Sequence, residues 1–356
     1  MIDLSLNKID MDQAERILLQ TAEIDSSCSV ILHGTYGIGK SSLAKQVANK
    51  LDVLPENFIT ICPSTTSLLT LALPYKDVEN NIPYSDLAMS KLLPKKGPAV
   101  ILVDEINTAD IATQPMLYQL LLDKKIGLSY KCPPNTLVFA ACNLDEDKSA
   151  TRPMANALRS RMDHFLLEPT FEDCQKWWIK NDVLGEVISF AKSHPGSIIP
   201  QRGAGFNNRD SEHKDPTGGC RPRSLTRLSN RIRRGIDPRD EEVVFRGTIG
   251  HEYGSLFHTF VTTYRRQIDL DSIFRDPKGA NIPSLTEPDL LYNVTVALGT
   301  NVDSEPKLKA AIDYLNRAEF PLVKLMVTFA RHKTPKIQDC KVFRDFILDN
   351  QNSLLF

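Results

Sequence analysis

"GTYGIGKSS", residues 34–42, joins the apolar run "SVILH" at 29–33 to the helix-like stretch "SLAKQVANKL" at 42–51. Three glycines and a lysine thus stand at the seam between a buried strand and a helix. One reading is a tight turn that happens to be rich in glycine. The other is a cradle for an anion. Glycine lets the backbone fold closely around a ligand, so that successive N–H groups point inward. The helix that follows adds the positive end of its dipole.

Gly34-x-x-x-x-Gly39-Lys40-Ser41 satisfies each fixed position of the phosphate-binding P-loop pattern. On that reading Gly34, Thr35, Tyr36, Gly37, Ile38, Gly39, Lys40, Ser41 and Ser42 wrap the phosphates of a nucleotide, expected to be ATP. Lys40 supplies a point charge to the β- and γ-phosphates, and the Ser41 hydroxyl is placed to ligate Mg²⁺. The rest of the chain has to decide what is done with the phosphate.

"AVILVDEIN", 99–107, brings Asp104 and Glu105 to the carboxyl end of a second apolar run. Ligands gather at that end in open α/β sheets. Asp104 is expected to support hydrated Mg²⁺, and Glu105 to orient and polarise an attacking water. Solvated carboxylates capping a strand are the plainer alternative. "LVFAACN" ends a further run on Asn143, whose amide suits the γ-phosphate or the attacking water. In "ANALRSRMDHF", 155–165, Arg159 and Arg161 lie two apart ahead of the next run, and one of them suits a finger inserted into a neighbour's site. Six arginines crowd 221–234. Of these, Arg223 is expected to reach the γ-phosphate and the others to make ordinary ion pairs.

The 356 residues carry a net charge of −1, with 42% hydrophobic and 24% charged residues, which is ordinary for a globular chain. No global charge draws the molecule to nucleic acid or to an anionic membrane surface. The seven cysteines are scattered without a CxxC, against a disulfide framework or a zinc knuckle. The polar start of the chain and the lack of a long apolar run lead us to expect a soluble, cytoplasmic protein without a membrane span.

Apolar runs at 29–33, 58–62, 99–103, 137–141 and 164–167 alternate with helical patterns at 11–24, 41–51 and 115–124. Continuous apolar strands separated by helices predict a parallel sheet covered on both faces. The expected architecture is α/β: a core over 1–170 with five parallel strands and helices on both faces. A small helical lid over 171–236 would carry a long polar loop at 195–222, and a helical extension would fill 237–356. In that extension Tyr253, Leu256, Phe257, Phe260, Val261 and Tyr264 form an apolar stripe. "TEPDLLYNVTVAL" and "SEPKLKAAIDYLNRAEF" open with capping-type starts.

The ordered set of motifs resembles an AAA+ ATPase of the MoxR-like branch over about residues 10–236. "GTYGIGKS" resembles its Walker A, "VILVDEIN" its Walker B, "AACN" its sensor 1, "ALRSRMD" its arginine-finger segment and "CRPRSL" its sensor 2. The stretch "LPKKGPAVILVDEINTADIATQPMLYQLLLDKKIG" at 93–127 is especially similar to that branch. The resemblance implies a P-loop AAA+ core, hydrolysis of Mg-ATP at subunit interfaces and a homo-oligomeric ring, usually hexameric. It implies that Lys40 and Ser41 hold phosphate and Mg²⁺ beside Asp104 and Glu105, that Asn143 is the sensor, Arg161 the finger in trans and Arg223 the lid sensor. Arg161 is preferred to Arg159 because it immediately precedes the hydrophobic-acidic pair that opens the next strand. Residues 63–98 resemble the helix-2 insert, in which Tyr75 and Tyr84 would meet a client. The partner class implied is a protein, of the kind that carries a von Willebrand A-type domain, and the activity implied is remodelling or chaperoning of it. Two rival functions stay open: a nucleotide-gated binding module with negligible turnover, and a DNA-directed motor using the arginine-rich helix.

Overall fold

The computed structural model describes residues 6–23, 29–65, 74–77, 82–87, 93–126, 130–144, 160–198, 219–284 and 286–350. The chain divides into two units, Met1–Thr170 and Phe171–Phe356. In the first, β1 (Asn7–Ile9), α1 (Met11–Glu23), β2 (Val30–His33), α2 (Lys40–Lys50), β3 (Phe58–Ile61), β4 (Pro74–Asp77) and β5 (Ile82–Leu87) follow in chain order. They are succeeded by β6 (Ala99–Val103), α3 (Gln114–Asp123), β7 (Lys125–Ile126), β8 (Tyr130–Lys131), β9 (Thr136–Cys142) and β10 (Asp163–Leu167).

Six strands form one parallel sheet in the order β1-β10-β2-β9-β6-β3. The five apolar runs are all in it, and β1 is an addition at the edge. Three residues are too few to show a period, so β1 left no pattern in the sequence. The turn out of it is fixed by a reciprocal cap. Asp10 Oδ1 accepts from the Gln13 amide at 2.7 Å, and Gln13 Oε1 accepts from the Asp10 amide at 3.0 Å.

Every residue of β6 and β9 is buried, because helices cover both faces of the sheet. Val30, Leu32, Val100, Leu102, Leu137, Phe139 and Ala141 share one core with Ala14 and Leu18 of α1 and Leu43, Ala44 and Val47 of α2. The alternate residues Ile31, Ile101, Val103, Val138 and Ala140 pack with Leu117, Leu120 and Leu121 of α3. The period of two along each strand thus serves two cores. Between β3 and β6 the antiparallel pair β4–β5 occupies part of the insert, and Tyr75 and Tyr84 fall on it; their side chains lie outside the described residues.

The second unit is helical. It comprises α4 (Phe171–Lys180), α5 (Gly185–Ser193), α6 (Pro222–Arg233), α7 (Glu241–Ile249), α8 (His251–Gln267) and α9 (Leu270–Arg275). Then come α10 (Pro288–Asn301), α11 (Glu305–Leu315), α12 (Phe320–Lys333) and α13 (Lys341–Asp349). One core joins α4, α5 and α6 to Phe245 of α7, Phe257 and Val261 of α8, Val296 of α10 and Phe329 of α12. Phe190 is its hub, edge-on to Phe257 at 5.1 Å and to Phe260 at 5.6 Å between ring centroids. Most of loop 195–222, from 199 to 218, lies outside the described residues. Among the described residues no helix is long and apolar enough to cross a membrane.

Three local expectations change. Leu256 lies at the margin of the α8 stripe and is 42% exposed, whereas Phe257 and Val261 are fully buried. The capping-type starts carry no side-chain cap bond. The N-cap of α10 is Glu287 and that of α11 is Ser304, and a proline in each first turn presets the backbone instead. Among the described residues Arg227 and Arg231 do not form the expected ion pairs: they donate to Thr248, to its carbonyl at 2.8 Å and its hydroxyl at 3.2 Å. Arg233 does pair, with Asp182 at 3.2 Å.

Replacing Phe257 by Ala removes a fully buried ring at the junction of α5, α7 and α8. It should cost about 3–5 kcal/mol, read as a lowered denaturation midpoint of the helical unit. A loss below about 1 kcal/mol would mean that the ring is not a keystone of that core.

Candidate active site

The loop between β2 and α2 begins as the sheet ends. The Gly34 amide donates to the Cys142 carbonyl at 3.1 Å, so the loop leaves beside the last residue of β9. A side chain at Gly34 would stand 2.6 Å from Ile38 Cδ1 and 3.1 Å from the Leu167 carbonyl oxygen. Gly37 and Gly39 have φ of 76° and 113°, where residues with a side chain are strained. Thr35 and Ile38 are buried, Tyr36, Ser41 and Ser42 half-buried. The sequence therefore folds the loop tightly and starts α2 at Lys40, with no side-chain cap on its first turn.

Lys40 is 6% exposed. Its ammonium donates to the carbonyls of Gly34 at 2.7 Å and Thr35 at 3.0 Å, and to Asn143 Oδ1 at 3.0 Å. The other end of that amide, Asn143 Nδ2, donates to Glu105 Oε1 at 3.2 Å. Asn143 is 5% exposed and follows directly on β9. Glu105 follows β6 in the left-handed region, at φ 55° and ψ 44°. Its backbone carbonyl accepts from the Thr108 amide and hydroxyl, both at 2.8 Å. Strained backbone of this kind clusters at functional sites.

Ser41 Oγ donates to Asp104 Oδ2 at 2.8 Å, and Asp104 Oδ1 accepts from the Glu105 amide at 3.1 Å. A hydroxyl beside a carboxylate is the hard oxygen donor set that a small divalent cation takes. Among the described residues no group of three or more His, Cys, Asp or Glu could hold a metal by itself. Ser41 and Asp104 therefore fit Mg²⁺ in the form in which it usually binds, completed by phosphate oxygens and water.

The structure thus brings Lys40, Ser41, Asp104, Glu105 and Asn143 to one end of the parallel sheet. Arg161 is elsewhere. It is exposed and lies two residues ahead of β10, whose first residue Asp163 pairs with Val30, the first residue of β2. The phosphate-type loop leaves β2 at the opposite end, after His33. Arg161 therefore lies at the opposite end of the sheet, where β10 begins. Arg159 lies outside the described residues, and Arg223 is exposed on the first turn of α6 in the second unit.

Two features had no signal in the sequence. Asn107 donates from Nδ2 to the Asn143 backbone carbonyl at 2.9 Å. His33 links Cys142 Sγ, 2.9 Å from its Nδ1, to His164 Nδ1, 2.8 Å from its Nε2. That chain of three is linear, so its ligating atoms do not converge on one point.

The chain is similar to several solved structures at low identity. A closed-state Hsp104 bound to ATPγS and FITC-casein is 17% identical with a TM-score of 0.34, over 49% of this chain and 38% of that one. A point mutant of RuvB from Thermotoga maritima is 18% identical with a TM-score of 0.36, over 85% of each chain. NtrX from Brucella abortus is 14% identical with a TM-score of 0.35, over 65% of this chain and 53% of that one. The chain thus spans well under half of the Hsp104 chain that it matches. A comparison with curated proteins returns no match. The architecture is that of a P-loop AAA+ fold with a helical C-terminal part, and residues 29–162, which hold Lys40, Ser41, Asp104, Glu105, Asn143 and Arg161, match the family model of the AAA domain, dynein-related subfamily.

Proposed function

We propose that this chain is a Mg-ATP-hydrolysing AAA+ ATPase of the MoxR-like kind, working as a homo-oligomeric ring on a protein partner. The observation that carries the reading is the continuous hydrogen-bonded path from Lys40 through the Asn143 amide to Glu105, beside the Ser41–Asp104 pair. Its members sit where a loop of inward amides and a helix N-terminus favour phosphate.

In this reading Lys40 turns its ammonium from the Gly34 and Thr35 carbonyls to the β- and γ-phosphates of ATP. Ser41 and Asp104 would hold Mg²⁺, which when bound neutralises charge on the phosphate oxygens. Glu105 orients a water toward the γ-phosphorus and accepts its proton. Asn143 holds that water and the γ-phosphate in register, since its amide already reaches both Lys40 and Glu105. Arg223 would approach the phosphate from the helical unit. Arg161 supports assembly: at the opposite end of its own sheet, it would serve a neighbour's nucleotide. A finger of this kind contributes about 10³–10⁵ to turnover. A hexamer and a client with a von Willebrand A-type domain are the assembly and partner class to test first, in a cytoplasmic setting.

Purified protein should hydrolyse Mg-ATP with a specific activity that rises with protein concentration and then reaches a plateau. No hydrolysis at any concentration, with ATP still bound, would replace this reading by a nucleotide-gated module. Glu105→Gln should bind ATP about as tightly as the parent and lower kcat by about 10²-fold or more, measured as phosphate release.

Arg161→Ala should keep ATP binding and lower turnover by about 10³-fold or more. Mixing Arg161→Ala with Glu105→Gln should restore part of the activity, because some interfaces then pair an intact Glu105 with an intact Arg161. Mixed samples no more active than either variant alone would count against catalysis in trans.

A further inference from the structure

We infer that Asn107 is a positioning residue for hydrolysis: it fixes the backbone of Asn143, so that one amide spans Lys40 and Glu105. The inference rests on the reading of Asn143 and Glu105 given above and adds to it a residue that acts through the Asn143 backbone.

Strand pairing holds β9 up to its end and no further. The register with β6 stops at Val103↔Ala140 and that with β2 at His33↔Cys142. Asn143 is the first residue beyond, and its carbonyl is taken by the Asn107 side chain at 2.9 Å. The two ends of the Asn143 amide lie 3.0 Å from Lys40 Nζ and 3.2 Å from Glu105 Oε1. A swing of about 0.5 Å would carry the second contact past hydrogen-bonding range. The backbone of Asn143 therefore has to be held, and Asn107 holds it.

Asn107 is also placed to tie that backbone to Glu105 itself. It sits in the 3₁₀ turn Ile106–Thr108, directly after the left-handed Glu105, and Thr108 of the same turn clasps the Glu105 carbonyl. One turn thus sets both partners of the Asn143–Glu105 bond.

The cost of the arrangement is visible. Asn107 is 3% exposed, and its Oδ1 is buried with no hydrogen-bond partner among the described residues. A buried amide oxygen without a partner weakens the fold; a leucine of similar size would remove that penalty but take the donor from the Asn143 carbonyl, so its two effects on stability oppose each other. A residue kept only for packing would leave turnover unchanged on the exchange. A residue kept for Asn143 would lose turnover while the fold held.

The test uses the full chain at a concentration where the parent's specific activity is at its plateau. Asn107→Leu and Asn107→Asp are compared with the parent and with Glu105→Gln for melting temperature, affinity for a fluorescent ATP analogue, kcat and KM. The expected result for Asn107→Leu is a cooperative melting transition like the parent's, affinity and KM within about threefold, and kcat lower by about tenfold or more. Asn107→Asp keeps the shape but sets a carboxylate against the Asn143 carbonyl, and its kcat should fall likewise with ATP still bound. Should Asn107→Leu fail to fold, Asn107→Asp decides by the same criteria. A folded variant with kcat within about twofold of the parent overturns the inference alone, provided that the parent hydrolyses ATP and Glu105→Gln does not. A parent without hydrolysis overturns the underlying reading, and this inference with it.

Discussion

The ammonium of Lys40 needs oxygen around it, because a buried charge without partners costs several kcal/mol more than the fold can spare. The demand shapes the whole first unit. Two of its acceptors, the Gly34 and Thr35 carbonyls, come from a loop that closes on itself only through glycine backbone. The third comes from Asn143, more than a hundred residues away in the chain. For that oxygen to arrive, β9 must lie directly beside β2 and end level with it, as the pairing of His33 with Cys142 provides. The crossovers that make this possible are the helices of the α/β core. These acceptors hold the ammonium in place.

A parallel sheet also has a direction, and the site depends on it. Every strand points its carboxyl end the same way, so Lys40, Asp104, Glu105 and Asn143 collect at one end while the start of β10 and Arg161 face the other. In the proposed assembly, one end of a subunit's sheet gives what the opposite end of the next receives. Such head-to-tail contacts close into rings when the rotation between neighbours divides a full turn.

Much of this was legible in advance, and for identifiable reasons. Residues 34–42 and the pair Asp104–Glu105 follow spacing rules that chemistry imposes on the local chain, and the apolar runs are long enough to show the sheet. Features that depend on tertiary contact were not legible. Asn107 reads as one more polar turn residue until Asn143 is seen beside it. His33, Cys142 and His164 are separated by 109 and 131 residues and converge only through strand order. Arg227 and Arg231 look like partners for carboxylates, but the nearest acceptors on α7 are the carbonyl and hydroxyl of Thr248. Leu256 keeps the helical period yet falls at the rim of the buried face, which period alone does not resolve.

The aromatic hub at Phe190 has a mechanical meaning. Its core reaches Val296 of α10 and Phe329 of α12, and the same two helices send Val294, Met326 and Val327 into the second core, with α11 and α13. Close-packed interiors transmit strain with little give. Because α10 and α12 contribute to both cores, a displacement of α4 or α6 would be felt by α11 and α13 through those two helices.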